Sequence, residues 1–388
     1  MRVFLIVLDG CGIGAAPDAA DYGDLGADTL RHVAEAAGGL RLPQLERLGL
    51  GRLRDIPGVR ALADPRGARA ILRERSAGKD STTGHWELAG LVVERAFPTY
   101  PHGFPTALLD AWSARVGRGW MANVVGSGTD VITRFGPEHQ RSGRLIVYTS
   151  ADSVFQVAAH TDTIPLERLY DACRDARALL HGEHGVGRVI ARPFVGTPGA
   201  YTRTADRRDF SLPPTAPTLL DRLTAAGHPV VTVGKVDDLF AGRGVSEAIH
   251  THSNAEGSDV LATLARRPGE GLVFANLVDF DTQYGHRQDA RGFAAALEAF
   301  DERLEELLAR VRSDEMVWIT ADHGNDPTDA STDHTRELTP LLAGGPRVRA
   351  GADLGTRDTF ADVGATLAEL FQVEPTAWGT SFLAGVRA

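Results

Sequence analysis

Three apolar runs, far apart in the chain, each end in acids and imidazoles. Val3-Phe4-Leu5-Ile6-Val7-Leu8 runs into Asp9; residues 272–278 run into Asp279-Phe280-Asp281, with His286 close behind; residues 316–321 run into Asp322-His323, with His334 beyond. An unbroken apolar run marks a strand buried on both faces, as in a parallel sheet, and the C-terminal edge of such a sheet is where polar groups are delivered. Three such ends in one crevice would gather enough Asp and His for two metal ions.

The bulk properties bound the rest. A chain of 388 residues is too long for one small core and implies one large or two medium domains. The net charge of −10 and the lack of a long basic run argue against nucleic-acid binding and against a membrane surface as partner. Two cysteines, Cys11 and Cys173, form neither a disulfide framework nor a metal-type spacing. The apolar stretch before Asp9 is too short for a signal peptide or a membrane span and reads as the first core strand, so a cytoplasmic location is expected.

Strand and helix signals alternate on either side of a differently textured segment. Pro98, Pro101, Gly103 and Pro105 mark one hinge and Pro213-Pro214 the other. The expectation is a discontinuous catalytic core, residues 1–97 and 213–388, with an inserted α+β cap over 98–212 that binds substrate. The core reads as α/β: a mostly parallel sheet sandwiched by helices. In the insert, 121–125, 145–148 and 188–191 read as strands and 105–115 and 166–180 as helices.

Among the motifs, Asp322-His323-Gly324-Asn325 is the most specific, because a chain turning just past a strand end can aim both side chains at one ion. Asp279-x-Asp281 with His286 adds carboxylate and imidazole, a donor set suited to Mn, Zn or Fe more than to Ca or Mg. His334 sits in a polar loop and gains meaning only from this company. Gly78-Lys79-Asp80-Ser81-Thr82-Thr83-Gly84 puts hydroxyls at a helix start, where N–H groups attract phosphate and a metal-bound Oγ becomes a nucleophile. Taken alone, those hydroxyls read as N-caps. Gly10-x-Gly12-x-Gly14 lacks the dinucleotide spacing. His250-Thr251-His252 follows no apolar strand, Cys11 reads as a packing residue, and the basic run 203–208 reads as cap surface that could meet a phosphate.

Taken together, these residues resemble the alkaline phosphatase superfamily, most closely its phosphopentomutase branch, over essentially the whole chain. The resemblance rests on Asp9 with Gly12-Ile13-Gly14 and Pro17-Asp18; Gly78-Lys79-Asp80 with Thr83-Gly84-His85-Trp86-Glu87; Tyr148-Thr149-Ser150-Ala151-Asp152-Ser153; residues 187–194; Gly234-Lys235; residues 276–281 with Gly285-His286; and residues 322–327 with 333–337. It implies two Mn2+ ions, with Zn2+ or another divalent ion as alternatives. Asp9, Asp322, His323 and the nucleophile would hold one, and Asp281, His286 and His334 the other. It further implies exchange of ribose 1-phosphate and ribose 5-phosphate, and of the deoxyribose pair, in nucleoside salvage, with activation by a sugar bisphosphate such as glucose 1,6-bisphosphate. Ser150, Asp152, Arg188 and Ile190 of the insert, with Lys235 of the core, would hold the substrate; no obligate protein partner is implied.

One departure concerns the nucleophile. Where the family carries a threonine after Gly-Lys-Asp, this chain has Ser81, followed by Thr82 and Thr83; Ser81 is the expected nucleophile and Thr82 the alternative. A phosphomonoesterase or a phosphoglycerate mutase of the same superfamily, or a non-catalytic sensor of metal or sugar phosphate, are the other readings that the motifs leave open.

Overall fold

The computed structural model describes residues 1–150 and 152–388; Ala151, part of a motif quoted above, lies outside the described residues. The strands are β1 (Arg2–Leu8), β2 (Ala68–Leu72), β3 (Trp120–Val125), β4 (Leu145–Thr149), β5 (Val154–His160), β6 (Arg188–Val195), β7 (Thr202–Arg203), β8 (Arg208–Ser211), β9 (Val230–Val233), β10 (Glu247–Ile249), β11 (Gly271–Leu277), β12 (Glu315–Thr320), β13 (Thr339–Gly344) and β14 (Asp353–Arg357). The chain divides into two compact units, Met1–Arg95 with Pro214–Ala388, and Ala96–Pro213.

The first unit is built on one sheet with strand order β10-β9-β11-β1-β12-β13-β2-β14. From β10 to β12 every pairing is parallel, whereas β13 runs antiparallel to both of its neighbours. Strands β1, β11 and β12 are buried along their whole length, which is why their sequences show no polar alternation. Leu8 pairs with Leu277 and Val7 with Thr320, so the three acid-bearing ends come level at one edge. Phe4, Ile6, Val273, Ala275, Val317 and Ile319 turn to one face, where they pack with Leu30, Val33, Leu45, Phe293, Leu297 and Phe300 from helices Thr29–Ala37, Pro43–Leu48 and Ala290–Arg310. Burying this set, at roughly 1.5–3 kcal/mol per large side chain, dominates what holds the edge in register.

The second unit has its own sheet, β3-β4-β5-β6-β7, with β8 also paired to β6. Helices Thr106–Val116 and Leu166–Leu179 cover one face through Leu109, Trp112, Leu169 and Cys173, against Val147, Phe155, Val157 and Val189. Helix Gly128–Ser142 covers part of the other, packing Val131 and Ile132 on Ile146, Ala158 and Phe194. This helix and β5 have no counterpart among the elements expected from the sequence. Pro137 inside the helix and the mixed apolar text of Val-Phe-Gln-Val-Ala-Ala-His hide both from periodicity.

Candidate metal centre

Each of the three strand ends hands its polar groups to a different local device. After β1, Gly10 takes φ +76°, and its N–H donates to Asp322 Oδ1 at 3.2 Å. After β11 comes a single π-helical turn, Phe280–Gly285, in which the His286 N–H donates to the Asp281 carbonyl at 3.0 Å. The wider turn brings residues five apart onto one side, and the His286 ring nitrogen stands 3.2 Å from Asp281 Oδ2. After β12, the Gly324 N–H donates to the Thr335 carbonyl at 3.0 Å and the Thr335 N–H returns a bond to Gly324 at 2.8 Å, which pins the His334 loop back to the edge.

Ser81 opens the helix Ser81–Leu88, whose N-cap, Asp80, accepts from the Thr82 and Thr83 N–H groups in a capping box. The helix lies against the chain just past β12 so closely that a Cβ on Gly84 would stand 2.2 Å from the Asp322 carbonyl oxygen, and only glycine fits there. Ser81 Oγ is thereby held 3.1 Å from His323 Nε2 and 3.4 Å from Asp9 Oδ1. His323 Nε2 is also 3.2 Å from Asp9 Oδ1 and 3.5 Å from Asp322 Oδ2, while His334 Nε2 is 3.5 Å from Asp281 Oδ1. The imidazole of His334 joins the two halves: its ring centre lies 4.3 Å from that of His323 and 4.8 Å from that of His286. Asp9, Ser81, Asp281, His286, Asp322, His323 and His334 thus form one cluster.

The electrostatics are those of a cation site. Burial, and the like charges of Asp322 and Asp281, push the Asp9 carboxyl up to about 6. Burial alone would raise Asp281 and Asp322 too, but neighbouring imidazoles outweigh it: His334 and His286 hold Asp281 low, and His323 and His85 hold Asp322 low. His286 is raised to about 9, first by its bond to Asp281, and His334 is lowered to about 4 by burial and by His323. Asp322 Oδ2 is buried without a hydrogen-bond donor. Two sets of donors, Asp281 with His286 and His334, and Asp9 with Asp281 and His323, are each close enough to share one ion, so the oxygen and nitrogen donors fit divalent transition metals.

Other expected residues are elsewhere. Asp279 ties Asn254 into place, accepting from its N–H at 2.7 Å, and so serves the start of helix Asn254–Arg266. Thr82 Oγ1 has no bond to the cluster among those resolved, whereas Ser81 Oγ has two contacts with it. Ser150, Asp152, Arg188 and Ile190 belong to the second unit, where Ser150 Oγ donates to Asp152 at 3.4 Å and Arg188 lies 3.7 Å from Asp209; Lys235, in the first unit, is exposed. His250 pairs with Asp237 at 3.3 Å at the exposed end of β10.

Sequence reasoning assigned no role to His85, Asn276 and Asn325, which surround the cluster. Asn325 donates to Asp281 Oδ1 at 2.6 Å. Asn276 donates to Asp9 Oδ2 at 2.9 Å, and His85 is fully buried 3.1 Å from Asp322 Oδ2. An amide inside an otherwise apolar strand was the available signal, one residue short of its end. Arg336, buried, bonds to Asp18 and to the Glu74, Ser76 and Gly78 carbonyls, bracing the loop that leads to Ser81.

This fold, with acids and imidazoles at the carboxyl edge of its sheet, is that of a metalloenzyme: the model of the metalloenzyme superfamily matches residues 1–375. The phosphopentomutase of Caldanaerobacter subterraneus subsp. tengcongensis is 52% identical over 382 residues, covering 98% of this chain and 97% of that protein. That of Anaeromyxobacter dehalogenans is 55% identical over 386 residues, covering 99% and 98%. The chain belongs to the phosphopentomutase family and is an enzyme of the isomerase class. A solved phosphoglycerate mutase of Leishmania mexicana shares the fold at a TM-score of 0.50 and 14% identity, over 98% of this chain and 97% of that one. Among the described residues no helix is long and apolar enough to cross a membrane.

Proposed function

We propose that the chain interconverts alpha-D-ribose 1-phosphate and D-ribose 5-phosphate, and the 2-deoxyribose pair, through a phosphorylated Ser81 and a pentose 1,5-bisphosphate. The observation that carries this reading is the Ser81 hydroxyl at a helix N-terminus, 3.1 Å from His323 and 3.4 Å from Asp9, in a chain more than half identical to phosphopentomutases. We assign Asp9, Asp322, His323 and Ser81 to one divalent ion and Asp281, His286 and His334 to a second, manganese by preference. Bound there, the ions would neutralise phosphoryl oxygens and lower the pKa of the serine hydroxyl.

In this reading phospho-Ser81 passes its phosphoryl group to the free hydroxyl of a pentose monophosphate. The P–Oγ bond breaks, a P–O bond to the sugar forms, and the sugar's hydroxyl proton ends on Oγ. The bisphosphate turns over, Oγ attacks the other phosphoryl group, and its proton leaves with the departing sugar oxygen. Ser81 is the first residue of helix Ser81–Leu88, so the positive end of the helix dipole lies beside the transferring group. A sugar bisphosphate such as glucose 1,6-bisphosphate would first load Ser81. The inserted unit is assigned the part of a cap that binds substrate through Ser150, Asp152, Arg188 and Ile190 and keeps water from the phosphoserine, with Lys235 contributed by the core. The setting is nucleoside salvage in the cytoplasm, without an obligate protein partner.

Incubating the purified chain with Mn2+, ribose 5-phosphate and a trace of glucose 1,6-bisphosphate tests this by phosphorus NMR. Ribose 1-phosphate is the expected product; free ribose with inorganic phosphate as the main product would replace the mutase by a phosphatase.

A further inference from the structure

Of the 41 lysine and arginine residues, two are lysine, Lys79 and Lys235. Lys235 has its assignment above. Lys79 has none, and it stands two residues before Ser81. A chain that uses arginine almost everywhere else has the more compact cation here, and the two are not interchangeable where geometry matters.

Lys79 Nζ donates to both oxygens of Asp24, at 3.1 and 3.2 Å, and lies 3.4 Å from Asp333 Oδ2. The two acids differ in weight. The Asp24 side chain is 6% exposed and that of Lys79 19%, so their contact forms largely away from water, whereas Asp333 is half exposed and adds less. Asp24 also accepts the Arg336 N–H at 2.7 Å, through the Oδ2 that faces Lys79. One buried carboxylate thus joins the residue two before the nucleophile to the residue two after His334. Asp333 makes a second connection: its Oδ1 accepts the His334 N–H at 2.9 Å while its Oδ2 faces the ammonium. The Arg336 side chain returns the link, donating to the Gly78 carbonyl at 2.6 Å. Lys79 therefore stands between the turn that begins the Ser81 helix and the loop that presents the imidazole common to both halves of the cluster. An ammonium can divide its three N–H groups between two carboxylates, whereas the planar fork of a guanidinium is matched to one.

We propose that Lys79 is a positioning residue for the phosphoryl transfer, its ammonium on Asp24 and Asp333 fixing how far the Ser81 hydroxyl stands from the His334 imidazole. The inference rests on the function just proposed and adds to it a residue that acts through Ser81 and His334 rather than on the substrate. Its loss slows transfer to and from Ser81 and leaves substrate binding as it was.

Steady-state kinetics of the Mn2+-loaded full chain test this with Lys79→Met, Lys79→Arg and Lys79→Cys, and with Arg69→Met for comparison. Arg69→Met breaks an ion pair of similar make-up, a buried Arg69 against a half-exposed Asp353 at 2.7 Å, at the outer end of the sheet on β2 and β14. Lys79→Met should lower kcat for ribose 5-phosphate by about a hundredfold, the effect of a misplacement of roughly 1 Å, with KM within about twofold of the parent's. Lys79→Arg keeps the charge and should still lose about tenfold in kcat, the worth of one charged hydrogen bond; it carries the comparison if Lys79→Met does not fold. Alkylating Lys79→Cys with 2-bromoethylamine rebuilds an ammonium of lysine's length, while burial keeps the thiols of Cys11 and Cys173 unreactive. Alkylation confirmed by mass should recover most of the lost kcat, which a packing role would not allow. Parental kcat in Lys79→Met and Lys79→Arg, a KM that rises as far as kcat falls, an equal loss of kcat in Arg69→Met, or no recovery on alkylation would each overturn the proposal. If the parent makes no ribose 1-phosphate, the function proposed above fails, and the rate at which glucose 1,6-bisphosphate phosphorylates Ser81 then reads Lys79: slower loading in Lys79→Met supports its role, and equal loading overturns it.

Discussion

Asn276 and His85 meet 3.1 Å apart beside the metal centre, and the amide decides which imidazole nitrogen carries the proton. Asn276 Nδ2 donates to Asp9 Oδ2, so the same NH2 group faces His85 Nε2, which must accept. The proton then sits on His85 Nδ1, 2.8 Å from the Ser81 carbonyl oxygen that it can serve. A chain of bonds of fixed polarity runs from a carboxylate on β1 to the first residue of the nucleophile's helix. His85 Nδ1 also stands 3.1 Å from Asp322 Oδ2, so its one proton is shared between two acceptors and leaves that oxygen with room for a cation.

Replacing Asn276 by Ala should therefore act on the metal before it acts on the fold. Asp9 Oδ2 and His85 Nε2 lose their partner, at a cost of about 1–3 kcal/mol of stability. Loss of such an orienting bond lowers metal affinity by roughly 10- to 100-fold. Activity measured against Mn2+ concentration should shift to higher concentrations and recover in part at saturation; an unchanged Mn2+ dependence would count against the role given to this chain of bonds.

The nucleophile can be read directly. After incubation with glucose 1,6-bisphosphate, mass spectrometry of the tryptic peptide holding Ser81 and Thr82 should show phosphate on Ser81. Ser81→Ala should lose turnover and the modification together, and Thr82→Ala should keep the modification. Phosphate on Thr82 would move the nucleophile by one residue, and phosphate on neither would remove the covalent mechanism.

The strands carrying Asp9, Asp281 and Asp322 were legible because burial on both faces leaves an unbroken apolar run, and a carboxylate just beyond it can go only to the edge. The α/β class followed from their alternation with helices. Other features had no such signal. β13 is as apolar as its neighbours, and composition does not say that it runs antiparallel. Asn276 and His85 act through partners 267 and 191 residues away, and no local pattern encodes contacts at that distance. The one-turn π-helix that turns Asp281 and His286 to the same side has a spacing that helix periodicity does not anticipate.

The two aspartates after β11 offer a matched pair of variants. Mn2+ at a hundredfold its Kd should stabilise the parent by about 2.7 kcal/mol through linkage. Asp281→Asn should abolish much of that gain, since Asp281 belongs to both sets of candidate ligands. Asp279→Asn should leave it whole and cost about 1 kcal/mol at the start of helix Asn254–Arg266. Thermal melts with EDTA and with Mn2+ check both; equal responses of the two variants would sink the assignment of Asp281.

Away from the metal centre, His32 Nδ1 lies 2.5 Å from Asp326 Oδ2, and the pair gives stability a pH dependence of known sign. Burial opposes the imidazolium, but the bond to Asp326 wins and raises His32 above its ordinary value of 6.5. Asp326 is held below its ordinary 3.8, where the Asp28 N–H, Thr328 and His32 together outweigh burial. A raised imidazole contributes fully below its unfolded pKa and loses that contribution as pH rises through the folded one. A lowered carboxyl contributes above its unfolded pKa and loses that contribution as pH falls through the folded one. The pair therefore helps most from about pH 4 to 6.5 and fades on the alkaline side. His32 is partly exposed, so the effect is modest, up to about 1 kcal/mol. His32→Ala should lower the melting temperature more at pH 6 than at pH 9, and a loss that is equal at the two pH values would show that the contact packs without its charge.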